Sequence, residues 1–445
     1  MRSKSFSASL ILFQKSTWKW LSAYVLAVFS WCSVLYAQSG VVNPFPPGSS
    51  PDRIVLNVTS DPSTSIAVNW RTCDTVKTGY IEILPAVSDP RELDNPLRKQ
   101  AASKPFTFQT LNATYHSVVV TGLLPKTLYM YRVGKGNDWS EWFHTRTAGV
   151  NGDKLSFIYL GDAQVGLKTL WPRVIRAAYA KMPEANLILY AGDIVNRGNS
   201  DNEWGELFYG GSFIHSTIPG MHSPGNHEYA RTGDTLSAFW QPQFTLPNNG
   251  PEGLKETCYY TDVQGMRFIS INSYRVEESD DDLQKQKRWV DSLLRNNPNQ
   301  WTAVVFHHPF YSIRPTRDNA RMRNTFKPLF DKYNVDIVLQ GHDHAYARGR
   351  KKIQGARANT ASGTVYVLSV SGPKMSSKFE GSWFDVGTDY TQMYQLITVE
   401  GTILRYKAYK ASGELFDAFD LVKQKGKPNT LIEKDTLQTR DVISK

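Results

Sequence analysis

Five short blocks of acidic, amide and imidazole residues each follow a run of apolar, strand-like residues, and this placement constrains the fold more than any other feature. The blocks are Gly161-Asp162-Ala163-Gln164, Gly192-Asp193-Ile194-Val195-Asn196, Gly225-Asn226-His227-Glu228, Val304-Val305-Phe306-His307-His308-Pro309 and Gly341-His342-Asp343-His344. The runs are clearest at 155–160, 187–191, 301–306 and 335–340. In open α/β sheets the ligand crevice lies at the carboxyl ends of the strands, so the blocks are expected to meet there. Each block alone says little, since Gly-Asp after an apolar run is often a cap or a turn. Five of the nine histidines fall in these blocks, however, and one metal centre accounts for them together. Oxygen and imidazole donors suit hard or borderline divalent and trivalent ions, not a thiolate site.

At 445 residues the chain is too long for one ordinary domain. With 41% apolar and 21% charged residues it reads as globular. Residues 1–37 read as an export signal: Arg2, Lys4, Lys15 and Lys19 precede an uncharged apolar stretch from Leu21 to Ala37. The alternative is an uncleaved anchor, since the stretch approaches spanning length. Without residues 1–37, 47 Lys and Arg stand against 41 Asp and Glu, a net charge of +6. That is mildly basic, and no aromatic-interleaved basic stripe points to nucleic acid. Outside the signal only Cys73 and Cys258 remain; export permits a disulfide between them, and two free thiols is the other reading.

A Pro-rich linker is expected over 38–50, followed by an all-β domain over 51–147. Ile54–Leu56, Ile66–Trp70, Tyr115–Val120 and Leu128–Val133 are its strand candidates. Gly122 to Tyr129 resembles the tyrosine corner of a fibronectin type III sandwich, with Trp70 and Tyr129 expected as core residues. After a second linker, strands alternate with helical stretches at Thr169–Lys181, Asp281–Leu294 and Asn319–Tyr333, which predicts an α/β domain over 154–422. Residues 423–445 are expected to be a frayed polar tail. Asn57 and Asn112 begin glycosylation-type triplets.

Two metals about 3.5–4 Å apart can clamp the attacking and leaving oxygens of a displacement at phosphorus. Such a pair needs a bridging carboxylate and neutral nitrogen donors, with positions left for water and phosphate. Asp193 is the bridging candidate because it closes a buried strand. Asp162 and His344 would hold the first metal. Asn226, His307 and His342 would hold the second, and Gly341 gives the backbone freedom that two histidines so close in sequence require.

On these blocks the chain resembles the calcineurin-like metallophosphoesterase superfamily, and within it the purple acid phosphatases with an N-terminal fibronectin-like domain. Gly341-His342-Asp343-His344-Ala345-Tyr346-Ala347-Arg348 is close to that group's Gly-His-x-His-Ala-Tyr-Glu-Arg segment. The resemblance implies an αββα sandwich, two metal ions (Fe, Mn or Zn), and hydrolysis of small phosphate esters by a metal-activated hydroxide. It implies Asp162, Asp193 and His344 on one metal, and Asp193, Asn226, His307 and His342 on the other. The chain departs from the pattern at Asn196, where purple acid phosphatases carry the tyrosine whose phenolate colours ferric iron. It also has Gln164 where many superfamily members have a metal-binding histidine. Gln164 is then either an oxygen ligand to the first metal or acts through water.

His227 is the expected proton donor to the leaving oxygen, because an imidazole titrates near neutral pH. Asn226, His227, His308 and Arg317 are the substrate-binding candidates. Arg317, with Arg314, lies in the loop where the purple enzymes place substrate-contacting histidines. The expected function is an exported phosphomonoesterase. A phosphodiesterase or nucleotidase on the same metals is the enzymatic alternative, and a surface binding protein with an inactive second domain is the other.

Overall fold

The computed structural model describes residues 43–230, 234–352, 361–376, 379–424 and 427–434. The expected export signal, the first part of the linker and residues 435–445 lie outside them. Among the described residues no helix is long and apolar enough to cross a membrane. Cys73 and Cys258 are both free, and Cys258 is buried.

The N-terminal domain is a sandwich of two antiparallel sheets. Strands Asp52–Asn57, Ser65–Cys73, Leu111–Thr121 and Ala102–Phe108 form one; Leu97–Gln100, Tyr80–Pro85, Leu128–Lys135 and Phe143–Arg146 form the other. Their facing side chains, among them Val68, Trp70, Ile81, Ile83, Val118, Val120, Tyr131 and Val133, form a core of alternating residues. The Tyr129 hydroxyl accepts from the Leu124 amide at 2.9 Å, closing the corner that the sequence suggested. Asn112 is exposed, whereas Asn57 is buried with its amide donating to Asn69. The folded chain therefore gives a glycosyltransferase no access to Asn57.

The larger domain is an αββα sandwich. In one sheet the parallel strands Leu155–Leu160, Leu187–Ala191 and Gly220–Ser223 lie side by side, with Met393–Glu400 antiparallel beside Leu155–Leu160 and Ile403–Lys410 beyond it. In the other, Met266–Ser270, Trp301–Phe306, Ile337–Gln340 and Ala361–Leu368 run parallel. Side chains alternate between two cores. Phe268, Ala303, Val305, Ile337 and Leu339 point between the sheets, while Ile269, Val304, Phe306 and Val338 point to the helices Asp280–Arg295 and Ala320–Tyr333. The first of these helices starts where Ser279 caps the Asp282 amide and three aspartates favour its N-terminal dipole.

The expected frayed tail is instead structured as far as the described residues reach. Lys427–Glu433 is a strand paired with Leu415–Gln424 and with the start of Ala361–Leu368. Its polar composition concealed two anchors. Glu433 joins Asp417 in holding the fully buried Arg348 at 2.8 and 2.7 Å, and Asn429 joins Lys423 on the buried Asp336, each at 2.7 Å.

His215 and His222, the latter a residue of the strand Gly220–Ser223, are buried against Tyr190 of the strand Leu187–Ala191. Burial lowers the His215 pKa to about 4; burial and then His215 hold His222 well below the imidazole range. Both folded values lie below the unfolded value of about 6.5, so the unfolded chain binds these protons first as pH falls. The stability contributed by the neutral rings is complete above about pH 6.5 and is lost progressively on acidification. The thermal midpoint is therefore expected to drop as the pH falls below about 6.5, and to drop less in His215→Gln; an equal drop in the variant would exclude this origin.

Candidate metal centre

The turns that leave the parallel strands carry residues in an uncommon conformation. Asp162, Gln164, Asp193, His342 and His344 have φ of 38°, 49°, 48°, 81° and 43°. The left-handed region costs an L-residue about 1–2 kcal/mol, and such strain collects at functional sites. At Gly192, with φ 82°, a Cβ would lie 2.7 Å from the Gly225 nitrogen and 2.8 Å from His307 Nδ1. Only glycine lets these two turns close on each other.

Two groups of ligating atoms result, each within 4.8 Å of one another and sharing Asp193: Asp193, His307 and His342, and Asp162, Asp193 and His344. His307 Nδ1 lies 2.9 Å from the Ala191 carbonyl, to which it donates, which turns Nε2 to the centre. That Nε2 is 3.0 Å from His342 Nδ1 and 3.2 Å from both Asp193 Oδ2 and Asn226 Oδ1. On the other side His344 Nε2 lies 3.6 Å from Asp162 Oδ1, and Gln164 Nε2 donates to Asp193 Oδ2 at 3.2 Å. Asp162 Oδ1, Gln164 Oε1 and His344 Nδ1 are buried with no hydrogen-bond partner among the described residues. Leaving a buried polar atom unpaired costs about 1–3 kcal/mol. Cations between these groups would give the bare acceptors partners, so the donor set fits a metal pair.

The protonation pattern points the same way. Burial lowers the pKa of His344 to about 3 and holds His342 well below the imidazole range, leaving both rings neutral. Neutral imidazole is the ligating form. Burial raises Asp162, opposed by His307 and reinforced by Asp193, while at Asp193 burial is overcome by His307 and His227 together, which hold it below the usual carboxylate range. Burial would also keep His307 neutral, but Asp193 and then Asp162 raise it to about 9. In the metal-free chain His307 is thus the cation beside the ionised Asp193.

Two carboxylates with no role in the sequence reading hold this geometry. Glu228 is fully buried; its Oε2 accepts from the Asp193 and Gly225 amides at 2.9 and 2.7 Å, its Oε1 from the Ile194 and Val195 amides at 2.8 and 3.3 Å. It locks the Asp193 turn to the Asn226 turn. Asp343 is also buried and accepts from Ser312 Oγ and the Ile313 amide at 2.6 and 2.9 Å, and from Arg317 Nη1. The signal for both was their position inside the blocks, Asp343 between two proposed ligands and Glu228 two residues after Asn226.

Among the other candidates, His227 directs Nδ1 to the Asn196 carbonyl at 2.5 Å and leaves Nε2 3.8 Å from Asp193 Oδ2. The His308 ring lies against His342, with centroids 4.4 Å apart and its Nδ1 2.9 Å from Ser273 Oγ. Arg317 gives Nη1 to Asp343 and to the His342 carbonyl, so that part of its fork is not free for an anion.

A calcineurin-like phosphoesterase family model matches residues 155–346, and a purple acid phosphatase N-terminal domain model matches 51–147. The chain is 27% identical over 350 residues to acid phosphatase type 7 of Homo sapiens, covering 72% of this chain and 75% of that one. It is 26% identical over 268 residues to purple acid phosphatase 21 of Arabidopsis thaliana, covering 58% of each. Among solved structures, purple acid phosphatase PPD1 from yellow lupin seeds superposes with a TM-score of 0.70 at 18% identity, covering 85% of this chain and 75% of that one. PhoD superposes with a TM-score of 0.58 at 13% identity, covering 88% and 94%. At these identities the two structures speak to the fold alone.

Glu228→Gln replaces one of the two acceptor oxygens with a donor facing two backbone N–H groups. Metal affinity, measured by chelator competition, is expected to fall about 10–100-fold with the far-UV spectrum retained. Unchanged affinity would show that the clamp does not set the ligand geometry.

Proposed function

The chain is a calcineurin-like phosphoesterase carrying a purple acid phosphatase N-terminal domain, a hydrolase of phosphoric esters, and from that premise we propose that it is an exported dinuclear phosphatase acting on phosphate monoesters. The observation that carries this reading is the pair of ligand groups sharing Asp193 at the sheet edge. In this proposal Asp162, Asp193 and His344, with the Gln164 amide oxygen, hold one metal. Asp193, Asn226, His307 and His342 hold the other. Bound there, the pair would lower the pKa of a bound water to about 7 and would neutralise charge on the phosphate.

The chain's own residues do the rest. His227 faces the shared carboxylate with Nε2 and is steadied by the bond from Nδ1 to the Asn196 carbonyl. In the charged form it donates the Nε2 proton to the leaving alkoxide, a role worth about 10²–10⁴ in rate. Asn226, whose Oδ1 lies beside His307 Nε2, and His308, whose ring lies against His342, orient the ester. Export rests on the basic and then apolar segment before residue 38. The monoester preference rests on the relatedness to acid phosphatases; a diesterase on the same metals is the reading it competes with.

Elemental analysis is expected to find two metals per chain (a proposal from the ligand count), and aryl phosphate to be cleaved faster than bis-aryl phosphate. Asp193→Ala should abolish both metal binding and turnover. His227→Ala should retain metal and lose about 10²–10⁴ in kcat; full activity would remove His227 from the mechanism. With Asn196 in the tyrosine position the iron-loaded protein should lack a visible charge-transfer band, and Asn196→Tyr should create one. A band in the unaltered protein would contradict the assignment.

A further inference from the structure

The mouth of the metal pocket carries more positive charge than the metal-centre proposal uses. Two segments form its rim on the side of His342 and His344. One is the loop from Ser312 to Arg317, hung on the buried Asp343 through Ser312 Oγ, the Ile313 amide and Arg317. The other runs from Gly372 to Ser376. It is pinned at both ends to turns that carry proposed ligands, the Gly372 amide to the Asp162 carbonyl at 2.8 Å and the Ser376 amide to the His344 carbonyl at 3.1 Å. Lys374 lies midway between these pins. Arg314 reaches across from the first segment, its Nε donating to Ser376 Oγ at 3.2 Å.

The charges on this rim do not balance. Asp343 answers Arg317, and the carboxylates of the ligand set face inward. Among the described residues neither Arg314 nor Lys374 has an acidic partner. Glu380, whose amide bonds to the Ile313 carbonyl at 2.8 Å, is exposed and forms no ion pair with either. Two arginines further along the chain do have a carboxylate, Arg321 with Asp280 and Arg323 with Asp318, at 2.5 Å each. Arg314 and Lys374 stand on two segments that the Arg314–Ser376 bond joins, and their like charges repel one another across the empty rim. An anion between them removes that repulsion. The unused guanidinium nitrogens of Arg314 can take two oxygens of one group, and the Lys374 ammonium is a compact point charge. Together they match a dianion.

We propose that Arg314 and Lys374 form an anion subsite beside the metal pocket that takes a second phosphate group of the same substrate, so that bisphosphorylated compounds are the preferred class. The subsite rests on the phosphoesterase reading, because the first phosphate must sit at the metals. Arg317, the arginine singled out from the sequence, differs from Arg314 in that its Nη1 is engaged by Asp343.

The test uses the metal-loaded full chain and calorimetric titration with orthophosphate, pyrophosphate, and short and longer α,ω-alkane bisphosphates beside their monophosphates. At least one bisphosphate should bind about tenfold or more tightly than its monophosphate, the scale of one added charge-assisted contact. Arg314→Gln and Lys374→Gln should each reduce that ratio, and the double variant should bring it near one; Arg314→Lys should keep part of it. If monophosphates bind and no bisphosphate in the series gains, or if the double variant keeps the ratio, the subsite is wrong and the phosphatase reading stands. If orthophosphate and the monophosphates fail to bind the metal-loaded protein, the phosphatase reading fails and takes the subsite with it. Bisphosphate preference without ester hydrolysis would leave the subsite and remove the enzyme.

Discussion

The Asp193 carboxylate is asked to face two imidazoles, an amide and a backbone N–H at once, while its own backbone stays in a left-handed turn. A fully buried carboxylate without compensation would bind a proton. Here the turn is held by Glu228 below it, whose oxygens are filled by four backbone amides. The arrangement puts two carboxylates close together in a dry interior, and burial and then Asp193 raise the pKa of Glu228 to about 7. A cation beside Asp193 weakens that repulsion. The ligand cluster and the clamp therefore favour the same occupant, and the geometry that binds metal is also the one that makes a metal-free centre costly.

This dependence explains the distribution of strain. Five non-glycine residues with positive φ sit in the turns around the centre, and the strands below them are fully buried. Rigid strands set the spacing of the turns, and the two cores on either face leave little room to relax it. Strain of this kind persists only where surrounding packing over-determines it. The helices and sheets thus do not touch the chemistry, yet they decide where each donor atom lies.

The legible part of the molecule follows the same division. Apolar runs such as Leu187–Ala191 could be read because every residue in them is buried, so composition alone marks the strand. The ligand residues after them could be read because glycine directly precedes four of the proposed ligands, Asp162, Asp193, Asn226 and His342. The strand Lys427–Glu433 could not be read, since a polar stretch held by Glu433 on Arg348 and Asn429 on Asp336 looks like solvent-exposed tail. Nor could Lys374: no motif surrounds it, and its place comes from two backbone bonds to turns far away in sequence. Cys73 and Cys258 left two readings open, which pairing geometry alone could separate, and the fold keeps them as free thiols.

The N-terminal domain enters the argument through the edge of the catalytic sheet. Gly220–Ser223 is the outer parallel strand, and its carboxyl end leads to Asn226 and His227. An uncovered edge offers unpaired backbone groups to any other strand. Here the Leu56 amide donates to the His215 carbonyl at 2.8 Å and the Val58 amide to the Gly220 carbonyl at 3.1 Å, so the sandwich closes the edge with backbone bonds. The fully buried Arg71 then joins Asp52 of the sandwich to Asp201 at the start of the helix Asp201–Gly211, at 2.6 and 3.2 Å. Breaking a buried pair by removing one partner costs about 3–5 kcal/mol, although the intact pair stabilises little. Such a contact therefore acts chiefly against separation. That helix follows directly on the turn from Asp193 through Gly198, whose amide bonds to the His227 carbonyl at 2.9 Å. The sandwich is accordingly a side wall of the site's scaffold, and a chain cut before Lys154 would lose the cover on the very strand that presents Asn226 and His227.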